Sequence, residues 1–135
     1  MRTVASTAFL LTLALPPTTL AQVVPPSPPS ADQVVAAAKD VMQTARYSTL
    51  VTIGEDGQPQ ARIVDPFAPE ADLIVWIGTN PLTRKVAEIR QNPRVTLLYF
   101  NAAAAEYVTI HGTATLVTDS SEKARHWKDE WAAYY

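Results

Sequence analysis

Apolar positions recur at steps of three and four where the folded part of this chain begins: Val34, Val35, Ala38, Val41, Met42 and Ala45. That spacing predicts an amphipathic helix over Ala31–Ala45 whose stripe packs on a core. Ser30-Ala31-Asp32-Gln33 just ahead of it is a capping box, in which Ser30 caps the helix and Gln33 reaches back. After Arg46 the period changes. Tyr47–Ile53 is rich in β-branched and aromatic residues and predicts a strand. Gly54-Glu55-Asp56-Gly57 is a turn with an Asp-Gly signal, and Gln60–Val64 is the return strand of a hairpin. On alternation Arg62 shares a face with Gln60 and Val64, opposite Ala61 and Ile63. Asp65–Asp72 reads as a surface loop, and Leu73–Ile77 as a third strand buried on both faces.

A second helix is predicted from Pro81 to Gln91, with Asn80 as its cap and Leu82, Val86 and Ile89 on its apolar side. Asn92-Pro93 ends it. Arg94–Phe100 is a fourth strand, and Asn101–Ala105 is a loop of small residues. Tyr107–Val117 reads as one long strand, where Gly112 signals a bulge or a close backbone approach. Asp119 caps a last helix, with Glu122 at the capping-box position and Ala124, Trp127, Trp131 and Tyr134 on its apolar side. Strands joined by tight turns with few crossovers imply a mostly β fold, an antiparallel barrel with peripheral helices.

The N-terminal part follows neither period. Met1–Ala21 has one early charge, Arg2, an apolar run from Val4 to Leu15, and small residues ending in Ala21. This is the pattern of a signal peptide. The competing reading is a membrane anchor, but a run of about 12 residues falls short of the ~20 that span a bilayer. Residues 22–30 form a proline-rich linker, extended and without visible chemistry. The expectation is an exported protein, periplasmic or secreted, with one domain over residues 31–135 and no membrane span after cleavage.

Composition narrows the chemistry. A formal charge of −2 gives no bulk attraction to nucleic acid or anionic lipid. The absence of cysteine removes disulfides, thiolate nucleophiles and thiolate metal sites. Two histidines, His111 and His126, are too few for a multi-histidine metal centre, so no metal site is expected. His111 reads as a buried or edge histidine and His126 as solvated. No Ser-His-Asp spacing, Walker loop or dinucleotide fingerprint occurs, and no catalytic base stands out.

One stretch carries a local conflict, Gly78-Thr79-Asn80-Pro81-Leu82-Thr83-Arg84-Lys85. Arg84 and Lys85 fall in the first helical turn, where the helix dipole favours acids. Cations placed against their own dipole serve something outside the helix, and a bound phosphate is the economical candidate. The alternative is a solvated basic pair in which Glu88, one turn on, supports Arg84. Arg62, from a separate strand, would join Arg84 and Lys85 around the phosphate, and Thr79 would add a hydroxyl.

Several segments, singly weak, jointly resemble a known family: Tyr47–Ile53, Gly57–Arg62, Thr79–Lys85, Gln91–Tyr99 and Val108–Ala114. Residues from about Ala31 onward resemble the pyridoxamine 5′-phosphate oxidase-like, FMN-binding split-barrel proteins, especially their general-stress-protein branch. The resemblance implies a split β-barrel that forms a homodimer with FMN at the subunit interface. It implies phosphate contacts from Arg62, Arg84 and Lys85, and flavin contacts from Ile63, Val64, Gly78 and Thr79. Two departures accompany it. The oxidases proper carry a lysine shortly after the first phosphate arginine, where this chain reads Asp65-Pro66-Phe67, and their C-terminal Arg-x-His is absent. Oxidation of a B6 vitamer is therefore not expected. Family members also continue into a further strand where this sequence stops, so either the sequence is a truncated form lacking the last strand or the barrel is completed differently. The resemblance leaves three readings open. One is an FMN-dependent oxidoreductase acting on a small molecule. Another is a non-catalytic stress-response protein binding flavin or haem, with His111 as axial-ligand candidate in the haem case. The third is a dimeric stress-response module whose cofactor site has decayed.

Overall fold

The hairpin sets the frame. In the computed structural model, which describes residues 27–133, β1 (Ser48–Ile53) and β2 (Pro59–Val64) pair antiparallel from Ser48 opposite Val64 to Ile53 opposite Pro59. Their turn closes with Gly57 N–H donating to the Gly54 carbonyl, and Gly57 takes a φ of 78°, a conformation that glycine adopts without strain. β3 (Arg94–Asn101) pairs with the other edge of β1, and β4 (Glu106–Thr113) with β3. The sheet order is therefore β2-β1-β3-β4, antiparallel throughout. The mostly β architecture with peripheral helices agrees with the pattern. The described strands form an open sheet rather than a closed barrel.

Helix α1 (Ala31–Ala45) has the bounds its periodicity predicts, and both arms of the Ser30–Gln33 capping box are formed. It lies across β3 and β4, and Met42 joins Leu50, Leu97 and Tyr99 in the buried core. On one face of the sheet, pairing aligns Ser48, Leu50 and Thr52 with Val64, Arg62 and Gln60. Helix α2 (Arg84–Gln91) covers that face beside β1. Among the described residues the other face has no helix on it, and leaves Ile63, Leu98, Phe100 and Tyr107 between 38% and 70% exposed.

Several boundaries differ from the pattern. α2 begins at Arg84 rather than Pro81, because Asn80 caps a separate turn. Its side chain accepts from Leu82 N–H, and its carbonyl accepts from Thr83 N–H and the Thr83 hydroxyl. Leu82 consequently lies outside the helix and is 92% exposed, not on the apolar side. Among the described residues Leu73–Ile77 makes only one bridge, Ile77 to Pro66; Leu73 takes a φ of 64°, Ile74 is exposed, and the others are half-buried rather than buried on both faces. Its facing segment holds Pro66 and Pro69, which have no N–H to give a ladder. β4 ends at Thr113 because its partner strand starts at Arg94. Ala114 N–H still reaches the Pro93 carbonyl, but no strand residue lies beyond it. Gly112 pairs in regular register with Val95, and a Cβ there would meet nothing within 4 Å, so it marks neither a bulge nor a close approach.

The last helix is shorter than predicted. Asp119 does cap it, accepting from Ser121 and Glu122 N–H groups, but α3 (Ser120–Arg125) stops at His126. A separate 3-10 turn, Asp129–Ala133, carries Trp131 into the interior while Trp127 stays 46% exposed. His126 is not solvated: its ring stacks on Trp76 at 3.8 Å. The expected signal peptide, the start of the expected linker and Tyr134 lie outside the described residues. Among the described residues no helix is long and apolar enough to cross a membrane.

Candidate functional site

Register decides where Arg62 goes. It stands opposite Leu50 on the helix-covered face, so its side chain enters the layer between sheet and α2 and is only 21% exposed. Thr52, two residues along β1 on the same face, is fully buried beside it. From above, α2 brings Arg84, Lys85 and Glu88. Glu88 sits among Val86 and Ile89 on the buried side of the helix and is 4% exposed.

These five side chains form one cluster. Arg62 donates from Nη2 to Glu88 Oε2 at 2.9 Å and from Nη1 to Thr52 Oγ1 at 2.6 Å. The Thr52 hydroxyl in turn donates to the same carboxylate oxygen. The second oxygen, Oε1, pairs with Arg84 Nε at 3.1 Å, and Arg84 Nη2 reaches Gln60 Oε1 at 3.3 Å. Burial works to raise the Glu88 pKa. The hydrogen bonds from Thr52 and Arg62 and the two guanidinium charges outweigh it, and hold the carboxyl below its ordinary range.

Lys85 is the odd member. Its ammonium makes no hydrogen bond or ion pair among the described residues, although the residue is half-buried. Burial, then the nearby Arg62 charge, push its pKa down. Three cations against one carboxylate leave two positive charges uncompensated at the first turn of α2. An open groove of about 520 Å³ lies beside the cluster, lined by Gly54–Asp56, Gln60, Arg84 and Glu88; Arg62 and Lys85 do not line it. Such a cluster suits a phosphate, which offers acceptor oxygens to forked guanidinium donors and a counter-charge to the lysine.

The other sequence-predicted residues do not converge: Gly78 lies at a second centre, around Trp131, and the rest are spread over the sheet and the loop before α2. Thr79 lies in the loop before α2, its hydroxyl 3.4 Å from that of Thr83. Gly78 lies beneath Trp131: a Cβ at Gly78 would stand 2.4 Å from the indole Cζ3, which only glycine allows. Trp131 Nε1 donates to Asp65 Oδ2 at 3.3 Å, and Lys128 donates to Asp65 Oδ1 at 2.9 Å. Asp65 follows Ile63 and Val64 directly, so Trp131 spans from the end of β2 to Gly78. Ile63 itself is 69% exposed on the uncovered face, and Val64 is half-buried. His111 is exposed on that uncovered face, its Nδ1 3.0 Å from the Thr96 hydroxyl. No group of three or more metal-ligating side chains occurs among the described residues. Glu88 and Thr52 are the members that the sequence pattern did not reveal as a unit. The available signal was an acid inside the apolar stripe of α2, which points to a buried partner.

Known proteins resemble this chain in sequence and in fold. A sequence profile of the family described as pyridoxamine 5′-phosphate oxidase matches residues 34–135. A pyridoxine/pyridoxamine 5′-phosphate oxidase of Cupriavidus metallidurans is 36% identical over 76 residues, which is 56% of this chain and 35% of that protein. The chain thus spans about a third of the length of such curated relatives. A Clostridium acetobutylicum protein related to general stress protein 26 of Bacillus subtilis superposes with a TM-score of 0.70 at 20% identity. The match covers 78% of this chain and 75% of that one. A pyridoxamine 5′-phosphate oxidase-related, FMN binding protein of Nostoc punctiforme gives 0.57 at 22% identity, covering 73% and 54%.

Because the Glu88 pKa is lowered in the fold, its interactions stabilise the protein fully above the unfolded carboxyl pKa. That contribution is lost as the pH falls through the folded value. Urea midpoints followed from neutral to acid pH are expected to drop more steeply for the native chain than for Glu88→Gln. Parallel curves would show that Glu88 binds its proton equally well in both states.

Proposed function

Since the chain belongs to the pyridoxamine 5′-phosphate oxidase family, we propose that it is an FMN-binding flavoprotein that acts in redox chemistry on a small molecule. The observation that carries this reading is the Lys85 ammonium, half-buried, without an anionic partner among the described residues and beside the Arg62 charge. A phosphate monoester supplies the missing counter-charge. Arg62, Arg84 and Lys85 would hold it, and main-chain groups of Ile63, Val64, Gly78 and Thr79 would contact the flavin. The isoalloxazine, when bound, supplies electron and hydride transfer. The protein binds and orients it, which fits a chain without an evident general base. The oxidase activity that names the Cupriavidus relative is not part of this proposal. Asp65-Pro66-Phe67 puts an acid where the resemblance expects a lysine, and Lys128 and Trp131 already engage that acid.

The assembly we propose is a homodimer through the uncovered sheet face. Ile63, Leu98, Phe100 and Tyr107 share it, and together they form an apolar surface of the kind that marks a partner. A second copy there would shield it and sit close to the β2 edge. Export through the Met1–Ala21 segment completes the proposal.

The purified protein is expected to show flavin absorption in the visible, or to acquire it on adding FMN. Arg84→Ala and Lys85→Ala should each weaken FMN by about tenfold or more, the usual scale for a lost hydrogen bond to a charged group. A colourless protein that ignores added FMN would sink the reading. Light scattering should give the mass of two chains, and Phe100→Asp should give one. A native chain that runs as a monomer at all concentrations rules out the dimer. The exported form should begin at Gln22, and an unprocessed cytoplasmic chain would contradict export.

A further inference from the structure

A buried acid among cations that receive a phosphate has two possible effects of opposite sign. It repels the incoming anion, and it also aims the groups that bind it. The geometry at Glu88 bears on which effect dominates. The two carboxylate oxygens divide the arginines between them. Oε1 holds Arg84 at 3.1 Å, and Oε2 holds Arg62 at 2.9 Å together with the Thr52 hydroxyl. Arg84 is otherwise an exposed, rotatable side chain, 76% accessible, with Gln60 as its one other partner among the described residues. Arg62 reaches its place from a different strand and, among the described residues, has no carboxylate other than Glu88. A planar guanidinium held along one edge presents its remaining N–H groups in a fixed direction. The acid takes no bond from Lys85, whose ammonium stays available.

We propose that Glu88 is the positioning residue of the flavin-phosphate site. It aims Arg62 and Arg84 from a buried, immobile carboxylate, and with Lys85 this leaves a receptor charged to match a phosphomonoester dianion. Glu88 therefore sets the preference for a phosphorylated flavin over the same ring system without phosphate. Thr52 assists, because its hydroxyl accepts from Arg62 and donates to Glu88 and so locks the two together. This inference rests on the FMN reading above and adds to it a residue outside the cation set.

The test is equilibrium titration of the full chain with FMN and with riboflavin, followed by flavin fluorescence. The native chain is expected to bind FMN more tightly than riboflavin. Glu88→Gln should lower FMN affinity by about tenfold or more and leave riboflavin unchanged, the scale of misaligned charge-assisted hydrogen bonds. Thr52→Val keeps every charge and should lower the FMN preference in the same direction, by roughly threefold. A merely structural role would weaken both flavins together and leave their ratio intact. An unchanged or increased FMN preference in Glu88→Gln overturns the positioning role, since repulsion would then be its main effect. If Glu88→Gln fails to fold, Thr52→Val decides alone, and an unchanged ratio there overturns the proposal. A native chain with no preference for FMN overturns the flavin-phosphate reading and this one with it. A native preference that both variants retain overturns only this one.

Discussion

Glu88 carries a charge at 4% exposure, and the arrangement around it follows from the need to satisfy that charge. A carboxylate taken out of water costs several kcal/mol, on the order of magnitude expected for a single buried ion. It is tolerated here because Arg62, Arg84 and Thr52 all converge on its two oxygens. Three elements are joined by that convergence: β1 through Thr52, β2 through Arg62 and α2 through Glu88 and Arg84. The register of the hairpin, the docking of α2 and the direction of the guanidinium groups are therefore one constraint. A slip of one residue in β2 would turn Arg62 to the uncovered face and leave Glu88 buried with Arg84 as its one remaining cation in the cluster.

The same register explains the two-sided character of the sheet. Residues facing α1 and α2 are the buried ones, Ser48, Leu50, Thr52, Leu97 and Tyr99. Their neighbours along each strand point the other way and meet none of the described helices. An open antiparallel sheet with apolar residues on its free face and β2 at its edge is incomplete as a surface. The family's split-barrel architecture is consistent with that incompleteness, since the described strands by themselves do not close a barrel. The C-terminal turn acts at the opposite end of β2. Trp131 packs on Gly78 and bonds Asp65, and Lys128 lies over the Phe67 and Trp131 rings while it pairs with Asp65. Asp65 is held below its ordinary pKa there: burial opposes the shift, and the bonds from Lys128 and Trp131 outweigh it.

Local rules fixed much of what the chain alone made legible. The Ser30–Gln33 capping box, the Ala31–Ala45 periodicity and the Asp56-Gly57 turn each depend on neighbours within four residues, and each is found where the pattern places it. Alternation put Arg62 with Gln60 and Val64, and the conflict of Arg84 and Lys85 with their helix dipole marked the first turn of α2. These features need no knowledge of what lies across the fold. The errors share the converse property. Whether Leu73–Ile77 becomes a strand depends on its facing segment, where Pro66 and Pro69 withhold donors. Whether β4 runs to Val117 depends on where β3 starts.

The candidate site divides in the same way. The identities and positions of the three cations could be read from the sequence, because charge and spacing are local. That Glu88 serves Arg62 as well as Arg84 could not, since the partner is 26 residues distant and on another element. Thr52 looked like any β-branched strand residue until the hairpin register set it beside that pair. Thus the chain by itself determined which groups can carry charge, cap a helix or turn a strand. Only the tertiary structure decided which of them share a buried volume, because the cost of burying a charge is settled by everything that packs around it.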